Sequence, residues 1–419
     1  MRVLIALLAA GAAAGILLVL MEVVARWWLR FENAYYVWAP GAKRVLWPDR
    51  DALPFAEPCM HFDVNSMGER GAELSDTEGV YRVLAVGGSA VECILLDQSS
   101  SWPGAMETIL NRPENRKALG VSRVHVGNLG KSGLDSRALA VALQRVLRRY
   151  RDLDAIVVMV GGSNVMRWLT AGAPGDAAAP PVPDAEIFDW QPNGPFRLFP
   201  PRSTALAEIA RRIRLRVLRP IENRQNAGRF LTKMRAMRAR ATFRDSVSDA
   251  TAMADDYEAG LRDSVRIAMQ HSRRVIVARQ PWFDKAHYSP EEDACLWHGG
   301  LSDAFVEEVK TFATSKVICD AMAELDRRAA KVANELGVEQ IDLRNEVEPS
   351  LAHYYDILHF TPAGSRRVAE EVAVALTHNA SCRTARSREV RQVVRPLAAA
   401  RAGAGDRIRR VAARDAAQD

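Results

Sequence analysis

Five short runs of aliphatic and β-branched residues alternate along this chain with helix-compatible segments, and that alternation restricts the fold class more than anything else. Tyr81–Val86, Arg123–Asn128, Asp154–Val160, Arg273–Ala278 and Val338–Leu343 read as buried strands, each bounded by turn-forming or polar residues. Arg137–Arg149 and Phe305–Leu336 read as helices between them. Strand and helix in alternation predict an α/β domain whose parallel sheet is covered by helices on both faces. In such sheets functional groups collect in the crevice beyond the carboxyl ends of the strands.

Four short segments sit where those strands should end: Gly87-Gly88-Ser89, Gly130-Lys131-Ser132-Gly133, Gly162-Ser163-Asn164 and Asp356-Ile357-Leu358-His359. The residue types suit acyl transfer. A serine hydroxyl is a weak nucleophile until a neighbouring base takes its proton, so Ser89 needs a partner. His359 is the candidate base, because imidazole titrates near neutrality. Asp356, three residues earlier, is placed to hold the other ring nitrogen and set the tautomer. A tetrahedral intermediate needs preorganised donors for its oxyanion. The backbone N–H groups of Ser89 and Gly133 and the side-chain amide of Asn164 are the candidates. Glycine at 133 would let the backbone approach the substrate. Each segment alone has an ordinary reading: Ser89 as a helix N-cap, Gly133 as a turn residue, Asn164 as a loop or cap residue. Their order, spacing and shared sheet edge favour the catalytic reading.

The order Ser, Gly, Asn, Asp-x-x-His resembles the block pattern of the SGNH (GDSL-type) hydrolases, over about Tyr81 to Val374. Asp356-Ile-Leu-His359-Phe-Thr-Pro-Ala-Gly364 resembles the family's closing block, and Asn128-Leu-Gly-Lys-Ser-Gly133 its second. The resemblance implies a flavodoxin-like, three-layer α/β/α fold with a five-stranded parallel sheet. It also implies a serine esterase, with Gly133 and Asn164 as oxyanion donors. Gly88 stands where many members carry aspartate, and Val165 where aspartate often follows the asparagine; both bear on subfamily, not on the four named residues. An α/β-hydrolase fits less well, because Gly-x-Ser-x-Gly fails at Val91. Asn65-Ser-Met-Gly-Glu-Arg-Gly71, upstream of the first block, resembles a membrane-anchored bacterial subgroup found around polysaccharide biosynthesis.

Val3–Met21 is an unbroken stretch of nineteen almost wholly apolar residues, long enough to span a bilayer core as a helix. Glu22, Arg26, Trp27, Trp28 and Arg30 follow it in place of a small-residue cleavage site, so an uncleaved signal-anchor is expected over 1–24. Paired tryptophans suit a membrane interface, whereas Arg26 and Arg30 pull against an exported domain. The subgroup resemblance tips the expectation to a single-pass membrane protein with a periplasmic catalytic domain. Residues 25–80, with few strand signals, are expected to form a collar, and 81–378 the hydrolase domain. A proline-rich and helical insertion covers about 171–270, and between Arg211 and Arg244 it has twelve Lys or Arg against one acid, Glu222. That stretch suits a solvated helical cap, an anionic membrane surface or attraction of an acidic substrate. The segment 379–419, rich in Arg and Ala, reads as disordered.

The five cysteines (59, 93, 295, 319 and 382) have no metal-ligand spacing, so neither a metal nor another cofactor is expected. Cys93 is expected on the helix after Ser89 as a small buried hydrophobe. His125, His287, His298 and His353 read as structural or surface residues, with His353 the only rival base. A net charge of +6 without recognition motifs or aromatic interleaving argues against nucleic-acid binding. The expected partner is an ester, whether an acylated glycan, a lipid or a small molecule. An O-acyltransferase of polysaccharide modification and a non-catalytic accessory protein are the alternatives.

Overall fold

Each of the five apolar runs forms a strand, and their pairing builds the sheet that carries the site. The computed structural model describes residues 1–29, 34–74, 78–151, 153–176, 178–191, 204–213 and 226–378. Its strands are β1 (Lys43–Pro48), β2 (Met60–Asp63), β3 (Val80–Gly87), β4 (Arg123–Asn128), β5 (Leu153–Met159), β6 (Asn226–Ala227), β7 (Thr242–Arg244), β8 (Ser272–Arg279), β9 (Thr311–Ala313) and β10 (Glu339–Asp342). Five of them form an all-parallel sheet in the order β10-β8-β5-β3-β4. Numbered by appearance among these five, that is the flavodoxin-like order 2-1-3-4-5, whose switch point lies between the first and third strands. β3 and β5 occupy that centre.

Burial explains why the runs lack alternation. Ala155, Ile156, Val157, Val158 and Met159 of β5 are all fully buried, because helices cover both faces of the sheet. Each of the Ile, Val and Met side chains contributes roughly 1.5–3 kcal/mol relative to exposure. Ser136–Val146 and Thr251–His271 pack together on the sheet, beside Ser315–Leu336. A further helix covers 362–378. The helix Ser136–Val146 starts where Asp135 accepts the Ala138 N–H, and Ser315–Leu336 stops at Gly337 in the left-handed region.

Two expectations need correcting. The helix anticipated over Phe305–Leu336 begins only at Ser315, because Thr311–Ala313 is drawn into a short pairing with β7 and buries Phe312. Residues 34–74, read as poor in strands, contain β1 and β2 paired antiparallel. Trp38, Phe62 and Val64 from this segment join the main core, so tertiary burial overrides a weak local signal. Arg70 anchors the segment: its fully buried guanidinium donates to the carbonyls of Glu92, Cys93, Leu96 and His61 and lies 4.4 Å from the Phe62 ring centroid. The centre of the basic stretch, 214–225, and the tail 379–419 lie outside the described residues.

Candidate active site

β3 delivers Ser89 to the sheet's carboxyl edge through two glycines. A Cβ on Gly87 would lie 1.8 Å from the Met159 carbonyl oxygen, so only glycine permits this close approach to β5. Gly88 takes the N-cap position of a short helix, Ser89–Glu92, of which Ser89 is the first residue. Cys93 ends that helix in the left-handed region at φ 51°, buried, with its thiol pushed up to about 11 by desolvation.

The Asp-x-x-His turn follows β10. His359 Nε2 lies 2.7 Å from Ser89 Oγ, across 270 residues of sequence, and its Nδ1 lies 2.9 Å from Asp356 Oδ2. Asp356 is fully buried, yet its carboxylate is saturated with donors. Its Oδ1 accepts the backbone N–H groups of Leu358 (2.8 Å) and His359 (2.9 Å), and its Oδ2 accepts the Trp297 indole N–H at 2.9 Å. Burial pushes this carboxyl up, but the His359 and His298 rings and these hydrogen bonds outweigh it and hold it well below the usual carboxylate range. Burial alone would lower His359; the adjoining Asp356 carboxylate reverses that and raises it above its ordinary value. The Tyr355 ring stacks beside the imidazole, centroid to centroid 5.6 Å.

Gly133 lies on the loop after β4 with φ +82°, and a Cβ there would meet nothing within 4 Å. Backbone conformation, rather than crowding, therefore requires glycine. The loop is tied down by a group the sequence did not single out. Glu92, almost fully buried, accepts the Ser132 backbone N–H at 2.5 Å as well as the Ser132 hydroxyl. Burial raises the Glu92 carboxyl above its ordinary value. Asn164, on the helix Gly162–Thr170 after β5, is buried, and its Nδ2 donates to Ser136 Oγ at 3.1 Å while its Oδ1 accepts the Ser136 N–H. Ser89, Gly133, Asp356 and His359 all line one cavity of about 410 Å³, whereas Asn164 is not among its lining residues.

Ser89 thus follows β3, Gly133 follows β4, Asn164 follows β5 and the Asp356–His359 turn follows β10, all at the carboxyl edge of a sheet ordered 2-1-3-4-5. The fold is SGNH-hydrolase-like. Among solved structures, the chain is similar to Axe2, an acetylxylan esterase from Geobacillus stearothermophilus, at 14% identity and TM-score 0.37 over 70% of this chain and 92% of that one. It is also similar to LAE5, an alpha/beta hydrolase enzyme from the metagenome of Lake Arreo, Spain (13% identity, TM-score 0.38, 71% and 95% covered). A third is a member of the lipolytic protein G-D-S-L family from Veillonella parvula (9% identity, TM-score 0.36, 70% and 95% covered). No protein-family model and no curated protein matches the sequence. Strand order, not these distant similarities, defines the fold.

His298, expected as a structural or surface residue, is buried and borders the cavity. Its ring stacks on Trp297 at 3.8 Å, lines the cavity, and places a buried Nδ1 4.0 Å from Asp356 Oδ1 with no hydrogen-bond partner among the described residues. Burial pulls it down to about 4, so it is neutral at physiological pH. The ligand atoms of His298, Asp356 and His359 fall within 4.8 Å of one another. Because N–H donors already occupy both Asp356 oxygens, the cluster reads as an oriented acid–base pair rather than a cation cage. His353, the rival base, faces the Ser350 hydroxyl at 3.2 Å and is not among the cavity-lining residues. Trp297 and Glu92 carried no local signal: one lies in an irregular loop, and the other looks like any acidic helix residue.

Proposed function

We propose that this chain is a serine esterase working through an acyl-enzyme on Ser89. The single observation carrying the reading is the 2.7 Å approach of His359 Nε2 to Ser89 Oγ, with Asp356 at the opposite ring nitrogen. In the first half-reaction Ser89 Oγ attacks the ester carbonyl carbon while its proton passes to His359 Nε2. The resulting oxyanion is held by the N–H groups of Ser89 and Gly133, with the Asn164 amide as the third donor. Collapse breaks the carbon–oxygen bond, and the departing alkoxide takes the proton from His359. In the second half-reaction water attacks the acyl carbon and gives a proton to His359; collapse then breaks the acyl–Oγ bond, His359 returns that proton to Ser89 Oγ, and the carboxylic acid leaves. Asp356 stays ionised throughout, keeping Nδ1 protonated and stabilising the imidazolium.

The chain would do this as a membrane-anchored enzyme. The helix Arg2–Leu29 is long and apolar enough to cross a bilayer, and its side chains from Ile16 to Met21 are exposed. The reading places the catalytic domain on the periplasmic face. Purified protein should label with a fluorophosphonate and hydrolyse p-nitrophenyl esters, and Ser89→Ala should do neither. Ordinary turnover by that variant would exclude the assignment. Alkaline phosphatase and a fluorescent protein, fused separately to the carboxyl end, test the orientation: phosphatase-negative, fluorescent cells would place the domain in the cytoplasm.

A further inference from the structure

The cavity at Ser89 is far larger than a two-carbon acyl group needs, and one of its walls is apolar. Ile94 and Leu95 lie just after the nucleophile helix, so this wall begins beside the reacting serine. Phe230 and Leu231, from the inserted helix Arg229–Arg238, extend it, and Phe305 and Phe312 continue it. The Trp297, Phe230 and Phe305 rings form one cluster, with centroids 5.7 Å (Trp297–Phe230), 6.0 Å (Phe230–Phe305) and 6.5 Å (Trp297–Phe305) apart, so apolar rings run from the hydrogen-bond partner of Asp356 to the rim. At that rim Phe305 is 67% and Val306 83% exposed, an apolar lip in water beside the mouth. Other lining positions are polar: Ser163, Thr170 and Asp303. Arg167, also in the lining, is engaged by Asp135 at 3.1 Å and by the Pro180 carbonyl, so its charge is answered within the protein.

Resting on the esterase reading above, we infer that the acyl group accepted by Ser89 is an aliphatic chain longer than acetyl, bound along this wall. An acetyl group would leave most of the wall wet and gain nothing from it. A chain of several methylenes would remove its own surface and that of the wall from water together, a gain of about fourfold in binding per fully buried methylene. The polar positions are left for the alcohol part of the ester.

The test uses full-length protein in lipid nanodiscs and p-nitrophenyl esters from acetate to decanoate, so the leaving group stays constant. kcat/KM should climb by about tenfold or more between acetate and hexanoate, given incomplete burial at about fourfold per methylene. Phe230→Ala and Phe305→Ser should each lower the hexanoate-to-acetate ratio several-fold; Phe305 sits on an exposed loop, so its replacement does not threaten folding. A second arm varies the alcohol, comparing octyl acetate with methyl hexanoate. Preference for acetate, a flat chain-length series, or faster cleavage of octyl acetate would each overturn the acyl-chain assignment while leaving the esterase intact. Absence of both turnover and Ser89 labelling would overturn the esterase reading, and this inference with it.

Discussion

Trp297 donates its indole N–H to Asp356 Oδ2 at 2.9 Å from a loop fifty-nine residues away in sequence. The contact gives a fully buried carboxylate a donor that its own turn cannot supply, and it ties the acid of the site to the apolar wall where Trp297 meets Phe230. A Trp297→Phe variant keeps most of the ring and removes the donor. Oδ2 keeps its contact with His359 Nδ1 but loses one of two donors; losing a hydrogen bond to a charged group costs about 1.5–3 kcal/mol, so stability by urea titration should fall by that order. kcat should fall with it as the His359 ring loses orientation, with a smaller change in KM. Unchanged kcat and stability would show that Trp297 is only a packing residue.

The rate should depend on pH through His359. Only neutral imidazole accepts the serine proton, and Asp356 raises this histidine above its ordinary 6.5, so activity should be lost as pH falls through a midpoint above 6.5. Asp356→Asn removes the raising charge while burial remains, so the acid limb should move to lower pH and kcat should drop about 10⁴-fold, as in the Ser-His-Asp template. Stability follows the same linkage. The raised His359 contributes fully below its unfolded pKa and loses that contribution as pH rises through its folded value. The lowered Asp356 contributes above its ordinary 3.8 and loses its share only in stronger acid. Full pH–rate profiles of both proteins with one ester decide the point, and coincident acid limbs would disprove the coupling.

The two candidate histidines are separable by mutation. His359→Ala should abolish turnover, whereas His353→Ala should retain near wild-type kcat/KM, since His353 faces Ser350 rather than the cavity. A dead His353 variant beside an active His359 variant would reverse the assignment.

Asn164→Ala should cost about a hundred- to a thousand-fold in kcat if its amide serves the oxyanion. It should also lower Tm, because Asn164 holds both the backbone N–H and the hydroxyl of Ser136 at the start of a core helix. A fall in Tm with unaltered kcat would leave Asn164 a structural residue.

Glu92→Gln tests the support of the Gly133 loop. The amide keeps one oxygen acceptor but replaces the other carboxyl oxygen with an NH2 donor, weakening the hold on the Ser132 N–H and hydroxyl. kcat should drop about tenfold or more, because a small misplacement of a catalytic group can cost about a hundredfold. KM should change less. An unaltered kcat in a folded variant would argue that Gly133 is positioned by the backbone turn alone.

Much of this site was already readable in the one-dimensional chain, because its main parts are local. A run such as Ala155–Val160 is apolar on every residue, and its shortness and β-branched content mark it as a strand buried on both faces. Glycine pairs and an Asp-x-x-His turn carry their backbone requirements within a few residues, so Ser89, Gly133, Asp356 and His359 could be placed on one edge before any contact was known. Tertiary structure alone decided the rest. β1, β2 and β9 are strands because partners bury Phe62 and Phe312, not because their own residues insist on it. Trp297, His298 and Glu92 belong to the site because packing brings them to Asp356 and Ser132 across long separations. The strength of those hydrogen bonds depends on the desolvation that only the assembled core provides.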